Sequence, residues 1–240
     1  MIRRISIISM LVLSAHFGQS QVLISLIFGD KLNSEKIEFG IDAGANYSKM
    51  SEFESGNPLP AFNLGFYFDF LIKEQWYINT GVLVKSTVGL DFLKEEDVSF
   101  FDPTLVYSDT GTHSQTISYF HVPVAIKYRF KNNFYFRIGP QFGLRTKASL
   151  RFFGKKDNKT VELKTDNRDL FHRLEVSAIV GVGYKLKKGE GMNIGVKYMQ
   201  GFTDIIRDET RNSKNSSFYI YAGIPIGKGK AEAKRAASEE

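Results

Sequence analysis

The sequence predicts an all-β protein, an eight-stranded antiparallel up-and-down transmembrane β-barrel. Three observations lead to this prediction: segments that alternate apolar and polar residues, the unusual length of those segments, and connections that are alternately short and long. The stretch Phe134–Phe152 shows the pattern most clearly, because one face is apolar except for Thr146 and the other is small or charged. Soluble strands have about 5–6 residues, so a two-faced strand of this length is typical of a membrane barrel.

The first four predicted strands repeat this alternation. Ile37–Ser48 sets Ile, Phe, Ile, Ala, Ala and Tyr against Glu, Gly, Asp, Gly, Asn and Ser. Phe62–Phe70 carries four Phe and one Leu on its apolar face, and Trp76–Leu90 carries mostly Trp, Ile, Val and Leu. Tyr119–Phe130 places Phe, Val, Val, Ile, Tyr and Phe opposite Tyr, His, Pro, Ala, Lys and Arg. A period of two puts the two sets on opposite faces of each strand.

The last four predicted strands are Phe134–Phe152, Arg173–Leu186, Met192–Thr203 and Ser217–Ile226, and each has one apolar face. An even number of strands, with short turns at one end and long polar loops at the other, is the layout of a bacterial outer-membrane barrel. The short turns lie at 73–75, 131–133 and 187–191, and the long segments, predicted to be mobile external loops, lie at 50–60, 92–116, 153–169 and 204–216.

The composition agrees with a single β domain. Aromatic residues make up 14% of the 240 residues and glycine occurs 21 times, which suits strands and membrane-interface belts better than helices. No cysteine is present, which excludes a disulfide scaffold and a thiolate metal site. The net charge of +6 comes from bases spread through the strands rather than from a basic run, so we predict no nucleic-acid partner.

Residues 1–20 have the features of a cleaved secretory signal peptide. Arg3 and Arg4 give the positive start, Ile5–Leu13 is apolar, and Gly18–Ser20 is a small-x-small cleavage site. The alternative is a membrane anchor helix. The second apolar patch, Val22–Phe28, leaves this alternative open, although each apolar run is shorter than the roughly 20 residues that span a bilayer.

The expected layout therefore has four parts. It comprises a signal peptide over 1–20, a periplasmic segment over 21–36, the barrel over 37–226 and a polar periplasmic tail over 227–240. The alternative architecture is a secreted soluble barrel such as a lipocalin, with the apolar face turned inward. The abundant glycine on the polar face argues against it, because glycine weakens a strand and gains nothing on an open soluble surface.

The polar faces of the strands should meet inside the barrel. Buried charges are tolerable when they are paired and hydrogen-bonded, so we predict a polar network in the lumen with an excess of bases. Its predicted members are Asp42, Asp69, Lys85, His121, Lys127, Arg129, Arg137, Arg145, Lys147, Arg173, Glu175, Lys185 and Lys197, with Arg151 on the same face of its strand.

The sequence predicts a non-enzymatic protein without catalytic, cofactor-binding or metal-binding residues. The expected partners are outer-membrane lipid and an unidentified protein that binds the long external loops, because recognition residues concentrate on loops held by a rigid scaffold. Two alternatives stay open. One is a narrow anion-preferring pore, suggested by the basic lumen, and the other is a lipid-modifying enzyme that would use His113, His121 or His172.

Four stretches of the chain resemble the PorT-like family of small outer-membrane β-barrels of gram-negative bacteria. They are FGIDAGANYS from Phe39, AFNLGFYFDF to WYINTGVLV, YFHVPVAIKYRF followed by FYFRIGPQFGL, and IVGVGYKL followed by MNIGVKYMQGFTDI. The likeness covers about Phe39 to Ile226. It implies an outer-membrane barrel, and its motifs imply no particular chemistry.

Overall fold

The computed structural model describes residues 33–34, 36–53, 55–104, 111–156 and 159–227. The predicted signal peptide, most of the segment 21–36, and the tail after residue 227 lie outside the described residues. Within the described part of the chain, no helix is long and apolar enough to cross a membrane. The strands are β1 (Ile37–Met50), β2 (Asn57–Lys73), β3 (Trp76–Asp91), β4 (Gly111–Arg129), β5 (Phe134–Lys156), β6 (Lys159–Asp166), β7 (Leu174–Lys185), β8 (Asn193–Gly201) and β9 (Asn215–Pro225).

Eight of these strands close into a ring. The order around the ring is β1-β2-β3-β4-β5-β7-β8-β9, and every neighbouring pair is antiparallel. The pairing of β1 with β9 completes the ring, so it has no open edge. This confirms the predicted eight-stranded antiparallel barrel.

β6 is an addition to the ring and was not predicted. It pairs with the outer part of β5, from Ser149 to Lys156, within the segment that the sequence predicted to be a loop. β5 has 23 residues, and its lower half, Phe134–Leu144, pairs with β7 instead. Most side chains of β6 are exposed on both faces, so the strand lacks the two-faced pattern by which the other strands were predicted. We call Gly111–Ser118, Lys147–Lys156 and β6 the extension.

Two β-bulges reverse the direction of side chains in the outer halves of β3 and β5. On β3 the register shifts between Leu83 and Ser86, and on β5 Thr146 is the extra residue. An extra residue shifts the alternation by one, so that each later side chain points to the opposite face. The predictions for these halves were therefore wrong. Val88, Leu90, Ala148 and Leu150, predicted to face lipid, are buried inside, whereas Lys85 and Lys147, predicted to face the lumen, are exposed.

Below the bulges, the two faces of the barrel differ as predicted. The outward face is an apolar belt that includes Trp76, Ile78, Val84, Phe120, Val122, Val124, Ile126, Phe130, Phe134, Phe136, Ile138, Phe142 and Leu144. The outward residues of β4 from Phe120 to Phe130 span about 33 Å at 3.3 Å per residue. A strand tilt of about 40° leaves a belt roughly 25 Å tall, which is the height of the apolar band of outer-membrane barrels.

The described parts of the long loops form an apolar cap over the loop end of the barrel. A short helix, α1 (Glu95–Phe101), buries Val98 and Phe101 in a cluster that also contains Met50, Leu93, Phe171, Ile205 and Ile206. Backbone hydrogen bonds join the loops: Ser51 N–H donates to Lys214 at 3.0 Å, and Arg207 N–H donates to Leu170 at 2.9 Å. These loop segments are packed against one another and are not the free loops that the sequence suggested.

Candidate functional site

The structure places most of the predicted polar network inside the barrel. The predicted residues that are buried in the lumen are Asp42, Asp69, His121, Lys127, Arg137, Glu175, Lys185 and Lys197. They come from six strands whose polar faces turn inward, so no stretch of sequence holds the network by itself. The alternation along each strand determines which side chains point into the lumen. The register between strands determines which of those side chains contact one another.

Asp69 is the centre of the network near the turn end. Lys127 Nζ donates to Asp69 Oδ2 at 2.6 Å, and Asn79 Nδ2 donates to Asp69 Oδ1 at 2.7 Å. Arg137 Nη1 in turn donates to Asn79 Oδ1 at 2.9 Å. Asp69 and Lys127 are both almost fully buried, so they form an ion pair that water does not screen.

A second ion pair joins Lys185 to Glu38, which the prediction of the network had left out. Tyr67 OH donates to Glu38 Oε1 at 3.0 Å, and Asn193 Nδ2 donates to Tyr67 OH at 3.1 Å. The signal that could have found Glu38 is its position, because it precedes Asp42 by four residues and therefore shares the inward face of β1.

Tyrosine rings lie against three of the buried cations. Lys127 Nζ lies 4.1 Å from the centroid of the Tyr135 ring, and the Arg137 guanidinium lies 4.4 Å from that of Tyr221. Lys197 lies 4.6 Å from the centroid of the Tyr219 ring. Tyr135 and Tyr221 share a hydrogen bond of 2.8 Å between their hydroxyl groups. Cation–π contacts of this kind strengthen where water is excluded.

The buried charges are balanced, in contrast to the predicted excess of bases. The bulges turn three of the predicted bases, Lys85, Lys147 and Arg151, out of the lumen, and Glu38 adds an acid. The bases that remain deep in the lumen are Lys127, Arg137, Lys185 and Lys197, and the acids in the lumen are Glu38, Asp42, Asp69 and Glu175.

His121 forms a second polar group nearer the cap. Its Nδ1 lies 3.0 Å from Ser86 Oγ, and its Nε2 lies 3.4 Å from Glu175 Oε2. Asn215 donates to Glu175 at 3.0 Å, and the Tyr119 ring stacks on His121 with centroids 5.0 Å apart. A serine, a histidine and a carboxylate in this order can form a nucleophilic site. However, Ser86, His121 and Glu175 are at most 1% exposed, so solvent and substrate do not reach them in this structure.

The other predicted members do not join the lumen network. Lys85, Lys147 and Arg173 are exposed. Arg129 is half-buried at the turn end, 5.0 Å from the centroid of the Tyr77 ring, and Arg145 Nε donates to His172 O at 3.2 Å. Arg151 is partly buried on the outward face of the extension.

Side chains fill the lumen. A cavity of about 10 Å³ lies between Asp42, Tyr67, Lys127, Arg137 and neighbouring residues. A volume of that size holds about one water molecule. The large side chains Tyr119, Tyr135 and Tyr219 are fully buried across the barrel. The lumen thus resembles a polar core more than a channel.

Arg211 joins three loops at the cap. Arg211 Nη1 donates to Asp97 Oδ1 at 3.2 Å, and its guanidinium lies 4.8 Å from the ring centroid of Phe53 and 4.6 Å from that of Phe100. Ser55 Oγ donates to the same Asp97 carboxylate. A cleft of about 560 Å³ opens beside this contact, and its lining residues are Glu52, Ser55, Lys94, Glu95, Glu96, Asp97 and Arg211.

An apolar outer belt around a closed, polar barrel defines an integral outer-membrane β-barrel protein, because the bilayer core accepts only segments whose backbone groups are all paired. The family model described as "Outer membrane protein beta-barrel domain" matches residues 17–207. The chain therefore belongs to this outer-membrane β-barrel family, which locates it in the outer membrane.

Solved structures with a similar fold are distant in sequence. Ail, the attachment invasion locus protein of Yersinia pestis, is 11% identical, with 80% of this chain and 99% of that chain covered and a TM-score of 0.42. Neisserial surface protein A is 9% identical, with 79% and 99% covered and a TM-score of 0.40. OprG from Pseudomonas aeruginosa is 12% identical, with 79% and 93% covered and a TM-score of 0.36. No curated protein matches the chain.

Proposed function

We propose that this protein is a non-enzymatic outer-membrane barrel that presents its cap and extension to a protein partner outside the cell. The observation that carries the proposal is the packing of the external segments. α1 and the loops around Arg211 form a fixed surface, and the extension projects beyond the apolar belt with Phe153 and Leu163 exposed. A preorganised surface binds a partner without the cost of ordering loops.

The contents of the lumen support a structural role for the barrel interior. Lys127 and Lys185 are in ion pairs, Arg137 and Lys197 lie against tyrosine rings, and the cavity beside Arg137 has room for about one water molecule. A narrow pore needs a continuous water path, and an enzyme needs a base that substrate can reach. The buried position of His121 supports neither alternative.

We infer three further features from the sequence pattern. Residues 1–20 are a signal peptide that is removed on export, residues 21–36 and 227–240 lie in the periplasm, and the barrel domain covers 37–226. Within the larger outer-membrane family, we also propose that the chain is PorT-like, because four of its stretches resemble that family. Sequencing the amino terminus of the mature protein tests the first of these features, and a start at Gln21 is the expected result.

Site-specific photo-crosslinking in living cells tests the proposed function. A photoreactive amino acid at Leu163 of the extension should give a discrete protein adduct, because this side chain is exposed above the membrane. The matched control is Ile138, which is equally apolar and exposed but lies in the lipid belt, and which should give lipid adducts alone. The proposal fails if neither Leu163 nor Phe153 gives a protein adduct that the control lacks.

A further inference from the structure

Two β-bulges on different strands turn two lysines to the outside of the barrel. The bulge on β3 exposes Lys85, and the bulge at Thr146 on β5 exposes Lys147. Without the extra residues, the alternation of the lower strands would direct both side chains into the lumen. β-Bulges commonly re-aim side chains in this way. The fold therefore places these two cations on the outer surface.

The two lysines lie at the same height, on either side of β4. Leu83 pairs with His121 and Ser86 pairs with Tyr119, so Lys85 lies beside the segment 119–121 of β4. Lys147 pairs with Ser118, one residue further along the same strand. Neighbouring strands are about 4.8 Å apart, so two strand spacings separate the lysines by roughly 10 Å.

This height is the upper edge of the apolar belt. The outward face of β4 is apolar at Phe120 and at each second residue below it, whereas the outward residues above are the hydroxyl-bearing Thr112, Ser114, Thr116 and Ser118. On β3 the outward face likewise changes from apolar at Val84 to charged at Lys85. The Lys85 amine also lies 5.6 Å from the ring centroid of the lipid-facing Phe62. A long basic side chain at this level places its charge among lipid headgroups.

Within the described part of the chain, no acid forms an ion pair with either lysine. Asp166, which lies on the outward face of the extension, pairs instead with Arg168 at 2.9 Å. Hydrogen bonds from the backbone and side chain of Arg168 lower the pKa of Asp166.

Further charged residues lie above the lysines on the same face. Arg151 on β5 lies directly opposite Lys164 on β6, and like charges in directly opposed positions destabilise a sheet. Ser114, which pairs with Arg151 from the other side, donates to Asp91. Glu162 shares the outward face of β6 with Lys164, so acids and bases alternate in this part of the extension and the two lysines are the basic part of the surface.

We propose that Lys85, Ser118 and Lys147 bind the phosphate groups of lipids in the outer leaflet of the outer membrane. The two ammonium groups supply the charge, and the hydroxyl of Ser118 between them donates a hydrogen bond to a phosphate oxygen. The site needs no protein partner, so it stands or falls separately from the proposed function.

Native mass spectrometry of the full chain, released from detergent micelles, tests the site. The probes are lipid A with two phosphates and the same lipid with both phosphates removed. The wild-type protein should retain the phosphorylated lipid and lose the other. Lys85→Gln with Lys147→Gln should weaken retention about thirty-fold, since each base near an anionic surface contributes about fivefold. Lys73→Gln with Lys131→Gln makes the same charge change at the turn end and should have no effect.

A competition experiment and a charge-conserving variant complete the test. Inorganic phosphate at the same concentration should leave the lipid bound, whereas displacement would assign the site to free phosphate and overturn the proposal. Lys85→Arg with Lys147→Arg keeps both charges and should retain the lipid. If the glutamine pair does not fold, the single variants Lys85→Gln and Lys147→Gln replace it, and each should weaken retention about fivefold. Equal retention of the two lipids by the wild-type protein, or equal retention by the glutamine and wild-type proteins, overturns the proposal.

Discussion

At the scale of single residues, the lumen is held together by charges that have no access to water. Asp69 accepts hydrogen bonds from both Lys127 and Asn79, and Asn79 is in turn held by Arg137. A buried ion pair contributes little net stability compared with apolar residues, but removal of one partner leaves an uncompensated charge. The contribution of each of these residues to stability therefore depends more on the presence of its partner than on its own burial.

Asp69→Asn should lower the free energy of unfolding by about 3 kcal/mol, because it leaves the Lys127 charge buried without its partner. Urea unfolding in lipid vesicles, followed by gel mobility without heating, measures the change. Asp208→Asn is the control, because that carboxylate is exposed in an outer loop and its loss should cost less than about 0.5 kcal/mol. A similar cost for the two variants would show that the Asp69 pair does not stabilise the barrel.

Alternation predicted which face Asp69, Lys127 and Arg137 occupy, but not which residues they meet. Membership of the inward face is a local property with a period of two. Partner choice depends on the register across several strands and on the curvature of the ring, which no single strand carries in its sequence. The contacts of Lys127 and Arg137 with tyrosine rings were not predicted for the same reason.

At the scale of elements, the bulges explain the main error of the sequence-based prediction. On β5 the apolar residues stay at even positions before and after the single polar residue Thr146, from Phe134 through Leu144 to Leu150, so the pattern does not change parity at the bulge. Below the bulge these side chains face lipid, and above it they face the cap. Both surroundings are apolar, so hydrophobicity does not distinguish them. On β3, Val84 likewise faces lipid below the bulge, and Val88 and Leu90 are buried inside above it.

Arg211→Ala should loosen the cap without unfolding the barrel. The variant removes the ion pair with Asp97 and the contacts with Phe53 and Phe100, which join loops from different parts of the chain. Amide hydrogen exchange in Glu95–Phe101 should become at least about tenfold faster, since local opening depends on few contacts. The strands of the barrel should keep their protection.

Arg207→Ala is the control for this change, because Arg207 is an exposed base in the same outer loop. It should leave the exchange of Glu95–Phe101 unchanged. If Arg211→Ala also has no effect there, the cap is held by its apolar cluster alone. If the exchange rises throughout the barrel, the cap and the ring unfold as one unit.

At the scale of the whole molecule, the apolar belt, the filled lumen and the cap divide the protein into three regions. The belt determines where the protein lies, and the number of strands and the belt were predictable because both follow from long two-faced segments. The lumen stabilises the ring. We propose that the outer surface, with the extension and the exposed lysines, is the part that meets lipids and partners. Its arrangement was not predictable, because β6 and α1 lack the alternation of the ring strands.

We propose that the barrel is closed by its own side chains and acts through its outer surface. Conductance of the purified full chain in a planar lipid bilayer tests this claim most directly. Insertion is checked by recovery of protein that shows folded mobility on unheated gels. The expected result is no stepwise ion conductance, because the lumen has room for about one water molecule beside Arg137. Reproducible conductance steps that change in size in Arg137→Ala would contradict the claim and show that ions pass through the lumen.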